Sequence, residues 1–241
     1  MPVMTKNEKS LPAGRQAIVL LSGGLDSATA LYFAKRKGYK CFCLIFDYGQ
    51  RHKREIESAR RIARRAGSQA QVIKISLPRS GCALLDRKIK FPTGLKCQVS
   101  SVRKIPNTYV PARNIIFLSF AVSFAEAIKA QAIFIGAHSQ DYSGYPDCRR
   151  QFYRAFSKVI STGTKAGVEK KRIKVQIPLI DKKKSEIIRL GKRLGVPFEL
   201  TWSCYRGSKV PCGRCDSCLF RAKGFKQAGL SDPLLTKLTK N

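Results

Sequence analysis

Negative charge is scarce in this chain. Only 15 aspartates and glutamates stand against 47 lysines and arginines in 241 residues, a formal net charge of +32. Such a balance points toward an anionic partner such as nucleic acid. Yet the basic residues are scattered over the chain, helix faces such as Arg60-Arg61 and Arg64-Arg65 included. The densest stretch, Lys165 to Arg193, still holds Glu169, Asp181 and Glu186. Aromatic residues do not recur among them as they do on a platform for single strands. A generally basic surface and a weak nucleic-acid-binding surface both remain open. Long apolar runs are missing too: none approaches the roughly 18 residues that cross a bilayer, so no membrane span is expected. Met1 to Gln16 is polar, without an apolar segment of signal-peptide type, which sets a cytoplasmic expectation and a separate N-terminal segment, 1–16. Histidine is limited to His52 and His138. A lone histidine is more often a satisfied structural residue than an acid or base, so general-base duty stays unassigned. Repeats and low-complexity segments are absent, as is the G-x-x-x-x-G-K-[ST] phosphate loop.

What is present alternates. Ala17–Leu21 reads as a short buried strand, Asp26–Lys37 as a helix ended by Gly38, and Lys40–Asp47 as a second strand. A basic amphipathic helix runs from about Lys53 to Arg65, and Gln71–Ser76 forms a third strand. Leu77 to Pro111 is long and irregular, which is uncommon unless functional. Asn114–Ala130 is a strongly apolar helix, followed by strand Ala132–Gly136, helix Arg149–Ser161, strand Arg172–Ile177 and helix Ser185–Leu194, with stops at Gly195 and Pro197. Alternation of this kind predicts an α/β fold with a doubly wound parallel sheet, Rossmann-like in outline, over 17–196. In such sheets ligands bind beyond the carboxyl ends of the strands.

The first strand breaks into Ser22-Gly23-Gly24-Leu25-Asp26-Ser27 and enters a helix. Two glycines permit a sharp turn and close approach to a ligand. The serines offer hydroxyls, and the helix start presents unpaired N–H groups at its positive end. Strand, loop and helix in this order make a phosphate or pyrophosphate site. The alternative is an ordinary turn with Ser and Asp as caps.

After Pro197 the character changes. Cys204, Cys212, Cys215 and Cys218 form C-x7-C-x2-C-x2-C over a tail spanning 197–241. Four soft thiolates on tight turns suit a tetrahedral zinc ion, closed to substrate and therefore structural. Disulfides across two-residue gaps are disfavoured by geometry and compartment, and an iron–sulfur cluster has no support in the spacing. Of the other cysteines, Cys41 and Cys43 share one face of a strand and read as small core residues; Cys82 and Cys97 lie in the irregular stretch.

The S-G-G-L-D-S loop resembles the pyrophosphate loop of the ATP-pyrophosphatase (PP-loop) superfamily. Phe46-Asp47-Tyr48-Gly49-Gln50-Arg51-His52, then Ile105 to Asn114 (I-P-N-T-Y-V-P-A-R-N), then Asp141 to Arg149 (D-Y-S-G-Y-P-D-C-R) and the Thr201-Trp202-Ser203-Cys204-Tyr205 entry to the cysteines extend the likeness over nearly the whole chain. Together they resemble the 7-cyano-7-deazaguanine synthases, nitrile-forming ligases of the queuosine and archaeosine pathways. That resemblance implies two half-reactions at one site. ATP adenylates the carboxylate of 7-carboxy-7-deazaguanine and ammonia displaces AMP to give an amide; a second ATP then activates the amide oxygen, whose departure leaves the nitrile. It also implies a nucleotide-binding run of Leu21, Ser22, Gly23, Gly24, Leu25, Asp26, Ser27, Ala28 and Thr29, with Ser22, Gly23, Gly24, Asp26 and Ser27 on the pyrophosphate. Asp26 also helps position Mg2+, or serves only as a dipole partner. Arg51, His52, Arg113 and Arg149 are candidates for the substrate carboxylate, which a guanidinium fork matches, or are structural partners of Asp47, Asp141 and Asp147; Arg113 and Arg149 lead. Asp26, Ser27, Arg113 and Arg149 form the expected catalytic set. Lys184 matches a family lysine that reaches phosphate, though lysines in a K-K-K run usually do nothing specific. Cys148 packs in a turn, since the reaction needs no nucleophilic thiol. Leu25 and Ala28 replace the Gln and Thr common in relatives, a change that backbone phosphate binding tolerates. No glutaminase domain fits in the length, so free ammonia is the expected nitrogen source, and a homodimer is the implied assembly. The net charge is not explained by this chemistry. It leaves open a PP-loop enzyme acting directly on tRNA, while a relative that stops at the amide or transfers the base to another acceptor would use the same residues. A non-enzymatic zinc-stapled RNA-binding module would leave the loop without a purpose.

Overall fold

Five strands align in parallel in the order β3-β2-β1-β4-β5. They are β1 (Gln16–Leu20), β2 (Lys40–Asp47), β3 (Gln69–Lys74), β4 (Ala132–Ile135) and β5 (Lys174–Gln176). The computed structural model describes residues 14–51, 53–79, 81–86, 88–91, 105–138 and 145–238. Eight α-helices occur among them: α1 (Leu25–Arg36), α2 (Arg54–Arg65), α3 (Arg113–Ala127), α4 (Arg150–Gly163), α5 (Lys165–Val168), α6 (Lys184–Leu194), α7 (Asp216–Ala228) and α8 (Pro233–Leu238). The expected doubly wound parallel sheet is therefore the observed one. The β2 limits agree with the sequence reading, and those of the other strands differ from it by at most two residues, as strand ends commonly do. The tail holds helices, α7 and α8, that the cysteine spacing did not announce.

Side-chain alternation divides the core. Ala17 and Val19 of β1 face one layer with α1, α2, α6 and α7, through Leu31, Ile62, Ile187, Ile188 and Phe225. Ile18 and Leu20 face the other, against Leu118, Ala121 and Ala125 of α3 and Tyr153, Phe156 and Ile160 of α4. A parallel sheet covered on both faces needs apolar residues at nearly every strand position, and β1 has Ala17, Ile18 and Val19 at 0% exposure. The helix α2 is buried along Ile56, Ala59, Ile62 and Ala63, while Arg60, Arg61, Arg64 and Arg65 face outward. Those arginines thus belong to a solvated helix face.

Chain order reverses direction at β1: the path runs outward through β2 and β3, then returns to place β4 on the other side. The crevice at such a switch point opens at the carboxyl ends of β1 and β4. That geometry sets where a ligand can lie.

Candidate active site

A cavity of about 280 Å³ occupies this crevice. Its floor is the loop after β1. Gly23 adopts φ +83°, and a Cβ there would sit 2.2 Å from the Glu55 carbonyl oxygen, so α2 packs directly on the loop backbone. Gly136, just beyond β4, is likewise pressed against α1, with a Cβ position 2.6 Å from the Ser27 nitrogen. The two positions demand glycine for sheet-to-helix packing. Gly24 has φ −78° and is the N-cap of α1. The close approach expected at the first glycine is thus made by α2.

Within the loop, the Ser22 N–H donates to Ser27 Oγ at 3.1 Å, the two hydroxyl oxygens lie 3.0 Å apart, and Ser27 Oγ donates to the Gly24 carbonyl at 3.1 Å. Gly24 offers no side-chain cap, so the first N–H groups of α1 have no capping partner from it. Leu21, Leu25, Ala28 and Thr29 are buried, and the Thr29 hydroxyl donates to the Leu25 carbonyl at 2.8 Å. These four hold the loop in shape; Leu21 also lines the cavity.

Lys184, the first residue of α6, donates from Nζ to both oxygens of Asp26, at 2.9 and 2.8 Å. His138 Nε2 lies 3.4 Å from Asp26 Oδ2 and 3.3 Å from Lys184 Nζ. Burial alone would raise the Asp26 carboxyl, but Lys184 and His138 hold it well below the usual carboxylate range. Asp26 is therefore an anion held by a cation beside the start of α1.

The far wall is built from the later motifs. Gln50 closes the turn after β2, accepting from the Tyr48 N–H at 2.8 Å and donating to the Phe46 carbonyl at 3.1 Å. Ala112 adopts φ 54° at the N-cap of α3, a left-handed conformation that costs a non-glycine residue about 1 kcal/mol. It directs Arg113 into the cavity, where Nη1 lies 3.4 Å from Tyr48 Oη and the guanidinium packs over that ring at 5.8 Å. The Asn114 N–H donates to buried Asp147 at 3.3 Å, and Asn114 Nδ2 donates to the Asp147 carbonyl at 3.2 Å. Thr108 and Tyr145 hydrogen-bond, and Tyr109 stacks on Tyr145. Two motifs far apart in sequence thus form one wall. Arg51 donates to the Ala83 and Ile89 carbonyls and stacks on Phe91 at 4.2 Å, tying the irregular segment to the wall.

Of the expected catalytic set, Asp26, Ser27 and Arg113 come together around the cavity. Arg149 is exposed at the N-cap of α4 and is not among the residues lining it. Cys148 does line it, but burial and the neighbouring Asp147 push its thiol up to about 12, which suits a packing residue. Cys41 and Cys43 are buried core residues. His52, Cys97 and Asp141 lie outside the described residues. The sequence reading gave no site role to Glu55 or Phe117, nor to Phe46 and Tyr205 although both stand in its motifs; the Phe46–Phe117 pair stacks at 3.9 Å in the cavity wall. Glu55 stands in the first turn of an amphipathic helix, where an acid is ordinary, and no local signal marks it.

The cysteine segment closes one side. Sulfur atoms of Cys204, Cys212, Cys215 and Cys218 all lie within 4.8 Å of one another. Sulfurs bound to a tetrahedral zinc ion stand about 3.8 Å apart, so the cluster can hold a metal ion of that kind. Backbone N–H groups of Arg206 and Cys212 point at the Cys204 sulfur, at 3.4 and 3.3 Å. Cys215, Cys218 and these N–H groups together hold the Cys204 thiol well below its ordinary range. The Trp202 N–H donates to the Gly23 carbonyl at 2.9 Å, which fastens the segment to the loop.

The model of the family described as "Queuosine biosynthesis protein QueC" matches residues 16–229. The chain belongs to this family. A 7-cyano-7-deazaguanine synthase of Nostoc sp. (strain PCC 7120) is 52% identical over 91% of this chain and 96% of its own length. The enzyme of that name from Thermoplasma volcanium is 45% identical over 91% and 90%. Among solved structures, NMN synthetase from Francisella tularensis superposes with a TM-score of 0.47 at 18% identity, covering 91% of this chain and 79% of that one. A 4-thiouridine synthetase in complex with RNA and ATP gives 0.47 at 20%, covering 88% and 53%.

Proposed function

We propose that this chain converts 7-carboxy-7-deazaguanine and ammonia to 7-cyano-7-deazaguanine with consumption of ATP, through an adenylated carboxylate and an amide. Near-full-length identity to curated synthases of that name supports the reading. The observation that carries it is the pairing, in one cavity, of an uncapped helix start beside Lys184-bound Asp26 with an inward-facing arginine, Arg113. A carboxylate is a poor electrophile, and an amide does not lose water unaided. Each needs its oxygen made into a leaving group, and the developing pyrophosphate needs fixed positive charge. The start of α1 and Lys184 supply that charge. Arg113 forks the substrate carboxylate, while Phe46, Phe117 and Tyr145 provide flat apolar walls for ring systems. Mg2+ would supply charge neutralisation on phosphate oxygens when bound, and Asp26 would help hold it by exchanging its present contact with Lys184. The four cysteines hold Zn2+ in a structural role, and the site residues are those of the loop with Arg113. We further assign a homodimeric, cytoplasmic enzyme with a catalytic unit over 17–196 and a zinc module over 197–241. Weak nucleic-acid binding by the basic surface is a secondary property. The thiolating version of a tRNA-acting enzyme is disfavoured, because Cys148, the thiol of the described cavity wall, is held protonated by burial.

Mass spectrometry of the metal-replete protein with 7-carboxy-7-deazaguanine, ammonium, magnesium and ATP tests the reading. Nitrile together with AMP and pyrophosphate is the expected result. Amide alone would assign the chain to a half-reaction or base-transferring branch, and no turnover would bring tRNA forward as the substrate.

A further inference from the structure

A second cavity, of about 130 Å³, lies against the other side of the loop, between Lys184, Leu25 and the cysteine segment. Gly24, Asp26, Glu55 and Tyr205 line both cavities. Glu55 is therefore part of the wall between them, and its backbone is pinned there by the contact with Gly23. Asp26 is occupied by Lys184 and His138. The carboxylate of Glu55, in contrast, has no hydrogen bond and no ion pair among the described residues. A half-buried carboxylate without a hydrogen bond or ion pair, facing a cavity, is placed to accept a donor from a ligand group.

The reaction proposed above has an unfilled requirement at this place. Attack of ammonia on the acyl carbon expels AMP and leaves one surplus N–H proton. Adenylation of the amide oxygen removes a second proton from nitrogen. In the last step the remaining N–H bond gives its electron pair to the new C–N bond, the C–O bond breaks with its pair going to AMP, and a third proton departs. We propose that Glu55 is the group that receives nitrogen at this site: its carboxylate accepts N–H from the incoming ammonia and from the amide, and takes these protons in turn, passing each to solvent.

The alternatives along the wall are poorly suited. Cys148 and Tyr145 are each pushed up to about 12 by burial, and burial raises the Tyr48 hydroxyl as well. His138 sits against a cation and an anion that are already paired. Two charged groups act on Glu55, Arg113 of α3 and Cys204 of the cysteine segment, while Asp26 and Lys184 line the second cavity with it. Tyr48 and Tyr205 line the same cavity. Burial moves the Glu55 carboxyl up to about 7, opposed by Arg113 and reinforced by Cys204, which is the range in which a carboxylate exchanges protons at neutral pH.

The inference rests on the reaction above, and the test separates the two. With zinc-loaded full chain, exchange of labelled pyrophosphate into ATP is measured with 7-carboxy-7-deazaguanine and no ammonium; nitrile formation is measured separately from the amide and ATP. Glu55→Gln is expected to keep exchange within about threefold of wild type and to lose nitrile formation by a hundredfold or so. The rise of the nitrile step through a pH near 7 in wild type should flatten in the variant. Glu55→Asp, which retains the carboxylate, should recover at least about tenfold over Glu55→Gln. Nitrile formation within threefold of wild type in Glu55→Gln would overturn the proposal, as would an equal loss of exchange, or a Glu55→Asp no better than Glu55→Gln. Absence of exchange in the wild type would instead overturn the reaction assignment.

Discussion

Two carboxylates beside one loop are treated oppositely by the fold. Asp26 is stabilised as an anion by Lys184 and His138, so its contribution to stability is present above its unfolded pKa near 3.8 and is lost as the pH falls below that value. Glu55 is raised by burial from 4.5 to about 7. The folded state therefore binds its proton more tightly than the unfolded state does, and stability falls as pH rises from about 4.5 through 7. Ionised Glu55 is a burden on the fold at pH 8. Glu55→Gln should then raise stability at pH 8 by about 1–3 kcal/mol and leave it nearly unchanged at pH 4, measured by urea denaturation at the two pH values. An equal change at both would mean that the carboxyl is not perturbed. Such a gain at the expense of turnover is what a functional residue in a costly position produces.

At the scale of elements, the cysteine segment is a wall of the site as well as a tail. Trp202 bonds the loop, and Ser203, Tyr205 and Ser217 line the second cavity. Buried Arg221 binds Asp232 through Nε and Nη2, at 2.6 and 2.8 Å, and reaches the Thr201 hydroxyl at 2.7 Å, so α7, α8 and the strand-like entry to the cysteines form one unit. Phe225 of α7 extends into the main core. Loss of the metal should therefore reach the loop. Cys215→Ser is expected to bind less than about a tenth of the wild-type zinc and to lower Tm by about 5–10 °C, with pyrophosphate exchange falling alongside. Metal content by mass spectrometry, paired with a thermal scan, checks this. A metal-free variant with wild-type Tm and exchange would show that the segment folds without the ion.

The helices and strands were legible because their patterns are local: the near-continuous apolar run of β2 and the arginine-backed stripe of α2 declare themselves within a dozen residues. The loop and the four cysteines were legible for a related reason, since close spacing forces close contact. Glu55 was not, because its meaning comes from the approach of Gly23 and Arg113, which are distant in sequence. Arg149 stands in a telling motif at the exposed N-cap position of α4 and does not line the described cavity.

For the whole molecule, +32 is the dominant global quantity. Like charges spread over the surface repel one another and favour expansion of the chain. Salt shortens the range of that repulsion, with a Debye length of about 14 Å at 0.05 M falling to about 4 Å at 0.5 M. Raising sodium chloride across that range should raise Tm by about 3–6 °C, since only exposed pairs such as Lys53–Asp47 and Lys171–Glu169 are weakened in exchange. A falling Tm would mean that attractive pairs outweigh the net repulsion. No helix of the described structure is long and apolar enough to cross a membrane. The parallel α/β order, the phosphate-type loop and the metal-type cysteine cluster are readable from the chain alone, because each depends on residues close together in it. Three relations exist only in the folded chain: Arg113 faces the loop across one cavity, Lys184 holds Asp26, and Glu55 stands between two cavities without a hydrogen bond or ion pair. Those relations join segments tens of residues or more apart, and only the closing of the sheet brings them within reach.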